Sequence, residues 1–256
     1  MSTSLTRGLN VLDVLVEAQG PRKLADIAEA VGYSKSSVHG LLATLVDCGY
    51  VNHMAGGMYR LGFKAWRAGH AFPTAELIRV ASPIMEQLVE QIKEGAILGV
   101  LDGFDVVYVH LAPSKQAVRV HAEVGERIPG HSTSTGLALL AFQDAGYVKK
   151  VMPPNLISFS PETITEVPAL FAELERTRMR GFSVNRGGWH ADVGGIAAPI
   201  IPASSIVTAG LCVALPRYRM TQEWVNQIGP VIVGKAAEIA HGLNRASAGV
   251  VGLKAS

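Results

Sequence analysis

Apolar residues in the first fifty positions recur every three or four residues, which is the period of an amphipathic helix. Three stretches show this period, and we predict a helix for each. The apolar positions of the first stretch are Leu5, Leu9, Leu12 and Val16. Those of the second are Leu24, Ile27, Ala28 and Val31. Those of the third are Val38, Leu41, Leu42 and Leu45.

The third predicted helix has recognisable signals at both ends. Ser34 precedes it and is a good N-cap, because its hydroxyl can accept a hydrogen bond from a free backbone N–H. Gly49 follows it, at the place where a left-handed residue ends many helices. Its polar side consists of Lys35, Ser36, Ser37, His39 and Thr44. Taken alone, this pattern fits an ordinary solvated face as well as a binding face.

The order of the elements gives that polar face a function. Gly32 and Tyr33 form a short turn between the second and third helices, which is a helix-turn-helix pattern. Two short strands then flank Gly56-Gly57, a hairpin signal. A winged helix-turn-helix is therefore predicted, and its third helix enters the DNA major groove. The candidate DNA contacts are Lys35, Ser36, Ser37, His39 and Thr44 on the helix, with Tyr59 and Arg60 on the wing.

Residues 60–82 predict a connecting helix that is interrupted near Pro73. Phe63, Trp66 and Phe72 are large apolar residues within it. They either pack on the first domain or form a seam between two copies of the chain. The sequence leaves both alternatives open.

From Pro83 onward, strands and helices alternate in a pattern that predicts an α+β domain. Helices are predicted over residues 83–92, 132–146, 165–181 and 221–244, the last bent at Pro230. Strands are predicted at 97–101 and 106–111 around an Asp102-Gly103 turn, at 117–125, and within 182–188, 194–202 and 204–216.

Composition and charge narrow the class of protein. The 256 residues are 48% hydrophobic and 17% charged, as in folded domains. No apolar run is long enough to span a membrane, and the N-terminus lacks the apolar core of a signal peptide. Two cysteines are too few for a disulfide framework. We therefore expect a cytoplasmic protein. Residues 1–70 contain seven Lys/Arg against five Asp/Glu, which accounts for the net charge of +2 and hints at an anionic partner.

Enzymatic and metal chemistry find little support in the motifs. A hydrolase using His131 and Ser132 is the enzyme alternative, but no G-x-S-x-G elbow is present. The histidines lack zinc-site spacing, and the glycines of 187–195 match no nucleotide-binding loop. We therefore expect no catalytic residues, no metal and no cofactor.

The hydroxyl-rich segment HSTSTG, residues 131–136, stands at a predicted helix start near apolar strands. A helix N-terminus binds anions, so this segment could hold the carboxylate of a small organic acid. Simple capping of the helix is the equal alternative. Arg119 and Arg127 flank the region as further partners for a carboxylate, although exposed arginines explain them as well.

Several segments resemble the IclR-type bacterial transcriptional regulators. RGLNVLDVL, LADIAEAVGYSKSSVHGLLATLVDCGYV and YRLG resemble their winged helix, and HSTSTGLALLAF, RGFSVN and GGIAAPI resemble their GAF-like effector domain. The resemblance covers nearly the whole chain in the right order. It implies a winged helix-turn-helix over 1–65, a linker helix over 66–82 and an effector domain over 83–256.

The same resemblance implies a repressor or activator of a catabolic operon that binds operator DNA as a homodimer or a dimer of dimers. Its effector would be a small organic acid. Carried onto matching positions, the effector pocket consists of Ile128, Ser134, Thr135, Asn185, Val193, Gly195, Cys212 and Ala214. An interaction module that does not bind DNA is the remaining alternative.

Three departures from the family pattern matter. Gly40 stands where many members have a basic residue. The segment 186–192 replaces an acidic run. Ala214 replaces a hydroxyl found in members that bind small keto acids, so we expect a less polar pocket that Trp189 reaches and that prefers an aromatic or medium-sized acid.

Overall fold

In the computed structural model, which describes residues 3–18, 20–70, 74–203, 206–207 and 209–252, the chain forms two units. The first is Met1–Ala75 and the second is Glu76–Ser256. The domain boundaries placed after residues 65 and 82 stay predictions. Within the described residues, no helix is both long and apolar enough to cross a bilayer.

The first unit contains the three predicted helices and the predicted hairpin. Its helices are α1 (Thr3–Glu17), α2 (Leu24–Val31), α3 (Lys35–Asp47) and α4 (Phe63–His70). Its strands are β1 (Arg22–Lys23), β2 (Val51–Met54) and β3 (Met58–Leu61), in the antiparallel order β1-β3-β2. The sequence did not predict β1, because two residues are too short to show a pattern.

The buried face of α1 differs from the predicted stripe. Val11 and Leu15 are the residues in the core, at 0% and 3% exposure, and they pack with residues of α2 and α3. Leu5, Leu9 and Val16 are more than half exposed. The helix has apolar residues on two faces, and the pattern alone does not tell which face meets the rest of the unit.

The connecting region also differs from the prediction. A single helix, α5 (Thr74–Ile92), runs through Pro83 instead of starting there. A proline inside a helix removes one backbone hydrogen bond but does not prevent the chain from continuing. Phe63 and Trp66 on α4 are 66% and 52% exposed, so these two side chains are not core residues of the first unit. Phe72 and the interruption near Pro73 lie outside the described residues.

The second unit is built on an antiparallel sheet in the order β6-β5-β4-β9-β8-β7. Its strands are β4 (Gly95–Asp102), β5 (Asp105–Ala112), β6 (Arg127–Pro129), β7 (Ser183–Arg186), β8 (Val193–Ile200) and β9 (Ala209–Pro216). Its other helices are α6 (Ser134–Ala141), α7 (Ala145–Val151), α8 (Val167–Arg180) and α9 (Gln222–Gly252). The predicted α+β class is confirmed.

Both faces of the sheet are covered, and alternate residues of one strand point to different layers. On β9, Leu211 and Val213 pack in the cluster that contains α5 and α9. Cys212 and Ala214 pack on the opposite face, with Ala138 and Leu139 of α6. Since both faces are buried, the strands have apolar residues at consecutive positions of the sequence. The face that carries Cys212 and Ala214 also forms the cavity described below.

Two predictions in this unit are wrong. Residues 117–125 form no strand; the neighbour of β5 at the sheet edge is the short β6, and Val118 and Val124 lie exposed. The helix predicted over 132–146 ends at Ala141, because Asp144 starts α7 by accepting hydrogen bonds from two backbone N–H groups, at 2.8 and 3.1 Å.

Candidate functional site

The third helix presents its predicted polar face to solvent. The Ser34 hydroxyl caps α3 by accepting a hydrogen bond from the Ser37 backbone N–H at 3.3 Å, as the sequence predicts. Val38 and Leu42 are fully buried and fix the orientation of the helix. The predicted contacts on α3 are all exposed: Lys35, Ser36, Ser37, His39 and Thr44. A rigidly held helix with a free N-terminal face is what entry into a major groove requires.

The wing changes the list of candidate contacts. Tyr59 is only 8% exposed and belongs to the core of the first unit, with its ring stacked on His53 at 4.6 Å. Its predicted DNA contact is therefore corrected to a packing role. Arg60 is exposed beside it on β3. Arg22 and Lys23 were not among the DNA contacts predicted from the sequence. They form β1, which pairs with β3, and both are exposed.

The second unit contains a partly open cavity of about 70 Å³ above the Cys212 face of the sheet. Eight of the nine predicted effector residues line it: Ile128, Ser134, Asn185, Trp189, Val193, Gly195, Cys212 and Ala214. These residues come from β6, α6, β7, the turn that follows β7, β8 and β9. Sequence reading missed the aromatic wall residue Tyr108 and the segment Val120-His121-Ala122, which lines the cavity although it forms no strand.

Thr135 is the predicted effector residue that does not line the cavity. It is fully buried, and a Cβ placed on Gly99 would lie 2.8 Å from its methyl carbon. Its side chain therefore packs toward β4. Its backbone N–H, in the first turn of α6, remains a candidate contact, and its buried hydroxyl has no hydrogen-bond partner among the described residues.

The start of α6 forms the polar end of the cavity. Thr133 caps the helix by accepting a hydrogen bond from the Gly136 N–H at 3.0 Å. The preceding turn presses against α6 so closely that a Cβ on Gly136 would lie 2.1 Å from the Gly130 carbonyl oxygen. The first N–H groups of a helix have no partner within it, so those of Ser134 and Thr135 are donors for a ligand. The Ser134 hydroxyl lies 3.3 Å from the Cys212 thiol.

Asn185 connects this polar end to the opposite wall. Its side-chain oxygen accepts a hydrogen bond from the Gly188 N–H at 2.7 Å, and its amide nitrogen donates to the Ser132 carbonyl at 3.2 Å. The amide thus ties the turn before Trp189 to the start of α6. These two bonds use one of its two N–H donors and one of its two acceptor positions within the protein.

The cavity has little fixed charge. Among the described residues that line it, Glu126 carries a carboxylate and none is Lys or Arg. Burial raises the pKa of the Cys212 thiol and of the Tyr108 phenol, so both groups are neutral at physiological pH. A bound carboxylate would therefore be held by hydroxyl and N–H groups and by the positive end of the α6 dipole.

The two flanking arginines lie in different environments. Arg127 pairs with Asp102 and, at 3.2 Å, with Asp105, and these carboxylates raise the pKa of its guanidinium. It is thus engaged in an ion pair away from the cavity. Arg119 is exposed and lines an open groove of about 1200 Å³, which shares His121, His190 and Val193 with the cavity.

The hydrolase alternative lacks the geometry that it requires. Ser132 donates its hydroxyl hydrogen to the Pro129 carbonyl at 2.7 Å. His131 uses its Nε2 on the Ile157 carbonyl at 3.0 Å. Both residues are buried, and neither side chain is directed at the other. A nucleophile with its base is not formed by this pair.

A helix-turn-helix unit followed by a domain with an internal cavity defines a class of proteins, the DNA-binding transcriptional regulators. Two family models match the chain in that order: the IclR helix-turn-helix domain over residues 4–53 and the bacterial transcriptional regulator IclR C-terminal domain over residues 69–241. The chain belongs to the IclR family of bacterial transcriptional regulators.

Relatives agree with this assignment. The chain is 31% identical to the probable transcriptional regulator SauR of Cupriavidus necator, over 87% of this chain and 89% of that one. It is 30% identical to the transcriptional regulator KdgR of Escherichia coli, over 93% and 92% of the two chains. The family and these relatives are regulators, so the expectation that the chain is not an enzyme is confirmed.

A solved structure gives the same fold. An IclR homologue from Microbacterium hydrocarbonoxydans in complex with 4-hydroxybenzoate is 26% identical, with a TM-score of 0.80 over 95% of this chain and all of the other. The predicted architecture of a winged helix-turn-helix and a GAF-like domain is thereby confirmed.

Proposed function

We propose that this regulator controls a catabolic operon in response to a small organic acid, preferably aromatic, that binds in the cavity above the Cys212 face of the sheet. The observation that carries the proposal is the cavity's two-sided character. One end offers the first turn of α6, and the walls are apolar or aromatic. The solved relative that holds 4-hydroxybenzoate supports an aromatic acid.

The carboxylate would meet the N–H groups of Ser134 and Thr135 and the Ser134 hydroxyl, because anions are favoured at helix N-termini. The body of the acid would lie against Ile128, Ala214 and Trp189. A cavity of about 70 Å³ limits the enclosed part to roughly one ring, since pockets for drug-sized ligands are several times larger. A longer effector would extend toward the groove past His121 and His190.

DNA contact is assigned to α3, with Lys35, Ser36, Ser37, His39 and Thr44 as candidate contacts and Arg60 on the wing. Arg22 and Lys23 join them because β1 places them in the wing sheet. The proposed place of action is the cytoplasm, where operator DNA and the catabolic acid would meet.

The proposed active form is a homodimer or a dimer of dimers. Its seam would use the exposed apolar side chains of α1 and α4, namely Leu5, Leu9, Val16, Phe63 and Trp66. The acid would change the spacing of paired α3 helices if it binds two arrangements of the assembly with different affinity.

The test is fluorescence anisotropy on a duplex from the protein's own upstream region, at several salt concentrations, with and without acids. Specific binding that weakens steeply with salt, and that one acid alters, is the expected result. A salt-independent interaction, or none, would favour a module that contacts another protein.

Calorimetry on the same acids separates the effector classes. We expect 4-hydroxybenzoate or benzoate to bind more tightly than glyoxylate or pyruvate. Tight binding of the two small keto acids together with no binding of the aromatic acids would refute the proposed effector class.

A further inference from the structure

A buried hydroxyl outside the cavity controls the backbone of one of its walls. The segment 156–164, here called the clamp loop, lies between α7 and α8. Its Thr163 is 9% exposed and donates a hydrogen bond to the Gly188 carbonyl at 2.6 Å. Ser160 donates in the same way to the Gly187 carbonyl at 2.5 Å. Two consecutive carbonyls just before Trp189 are therefore held by one loop.

Thr163 also organises the clamp loop itself. Its hydroxyl oxygen accepts hydrogen bonds from the backbone N–H groups of Phe159, at 3.0 Å, and Ser160, at 2.9 Å. One side chain thus fixes both the loop and the turn that the loop holds. A valine would have nearly the same shape but would leave three backbone groups without this partner.

The held turn has little freedom to adjust. Gly187 has a φ of +104°, a conformation that favours glycine. A Cβ on Gly188 would lie 2.8 Å from the Ser132 carbonyl oxygen. The clamp loop holds this turn from one side, and Asn185 holds it from the side of the cavity.

The clamp loop also supports the Trp189 ring directly. Phe159 lies with its ring centroid 4.5 Å from that of Trp189, in a tilted arrangement. Trp189 is in turn a cavity wall. The position of this wall therefore depends on a loop that contributes no residue to the cavity lining.

We propose that Thr163 is a positioning residue of the effector cavity: by holding the Gly188 carbonyl and the clamp loop, it fixes Trp189 where a bound acid meets it. This inference rests on the proposed function for its ligand. Its structural part, the immobility of Trp189, stands independently of any ligand.

The test replaces Thr163 by valine in a background where Trp189 is the only tryptophan. The chain has three tryptophans, so Trp66→Phe and Trp224→Phe provide that background. The two readouts are acrylamide quenching of Trp189 fluorescence and the affinity for 4-hydroxybenzoate. We expect Thr163→Val to increase quenching and to weaken binding about tenfold, because buried backbone groups lose their partner.

Two controls separate positioning from general destabilisation. Thr163→Ser keeps the hydroxyl and should restore both readouts. Thr177→Val removes another fully buried threonine hydroxyl, on α8 and outside the cavity lining, and should change neither. Should Thr163→Val not fold, Ser160→Ala loosens the same turn through Gly187 and takes its place.

The outcomes are distinguishable. If the parent binds no acid, the proposed function fails, and quenching alone then decides whether Thr163 holds Trp189. If the parent binds 4-hydroxybenzoate and Thr163→Val changes neither quenching nor affinity, the inference is overturned while the proposed function stands.

Discussion

Gly40 occupies an exposed position in the middle of α3, and nothing lies within 4 Å of the place where its Cβ would be. A glycine there costs about 1 kcal/mol of helix stability relative to alanine. The position has room for a long side chain. Its lack of one leaves the proposed recognition face without a cation at its centre.

Gly40→Arg should therefore tighten DNA binding and also raise the melting temperature. One added phosphate contact would steepen the slope of log affinity against log salt by about one unit. Anisotropy titrations over a range of salt measure that slope. Gly40→Gln is the matched control, since it improves the helix without adding charge. An arginine variant with the slope of the glutamine variant would contradict the placement of α3 on the phosphates.

His131 is a buried titratable group whose environment predicts a pH effect. Burial lowers the pKa of its imidazole, while the hydrogen bond with the Ile157 carbonyl and the Asp105 carboxylate act in the opposite direction. The unfolded chain therefore binds this proton at a higher pH than the folded chain does. The contribution of His131 to the free energy of unfolding should be constant above the ordinary histidine pKa of about 6.5 and should fall as the pH drops below it.

Urea unfolding at pH 7.5 and pH 5.5 measures this loss. His131→Gln, which keeps an N–H for the Ile157 carbonyl, should lose less stability over that interval than the parent does. Burial also lowers the pKa of His110. The same measurement on His110→Gln therefore shows how much of the parent's loss of stability comes from this second histidine. An equal loss in His131→Gln and the parent would show that other groups dominate.

At the scale of elements, the exposed stripe of α1 leads to a prediction about assembly. Leu5→Ser and Leu9→Ser together remove apolar side chains that are 65% and 51% exposed, so the fold of the monomer should be retained. We expect a smaller molar mass by light scattering and weaker operator binding. Val11→Ala, in the buried face, is the contrasting variant; it should lower the melting temperature. A double variant with unchanged mass would place the seam elsewhere.

Elements with their own local signals were predictable from the sequence. Ser34 and Gly49 delimit α3, Gly181 closes α8 with a φ of +81°, and Gly103 makes the β4–β5 turn. Each signal acts through its neighbours in the chain. Elements that depend on a distant partner were missed or misread. Residues 117–125 have strand-like residues but no partner strand, and β1 exists only because β3 lies beside it.

The cavity shows the same division. Its lining residues could be named because they match segments of a known family. Their individual roles could not be predicted from the sequence. The Thr135 side chain packs toward β4, and the Asn185 amide forms hydrogen bonds with Ser132 and Gly188. Tyr59 was misassigned because a tyrosine on a short hairpin has the same pattern whether its ring faces solvent or the core.

At the scale of the whole molecule, filling the cavity should separate DNA binding from its control. Ala214→Leu adds three carbon atoms where the cavity has about 70 Å³. We expect operator affinity near that of the parent and no response to 4-hydroxybenzoate, because the acid can no longer enter. Anisotropy with and without the acid measures both. Ala145→Leu adds the same atoms at an exposed site of α7 and should respond normally. A normal response in Ala214→Leu would mean that the acid acts from another site.

The close contact between Gly130 and Gly136 has a consequence for how this regulator can diversify. The polar end of the cavity is formed by main chain pressed against main chain, and any side chain added there would push the two segments apart. The opposite walls are formed by side chains such as Ile128 and Ala214, which can be exchanged one at a time. Natural variation can therefore alter the side-chain walls one residue at a time while the main-chain end, the proposed carboxylate site, is inherited unchanged.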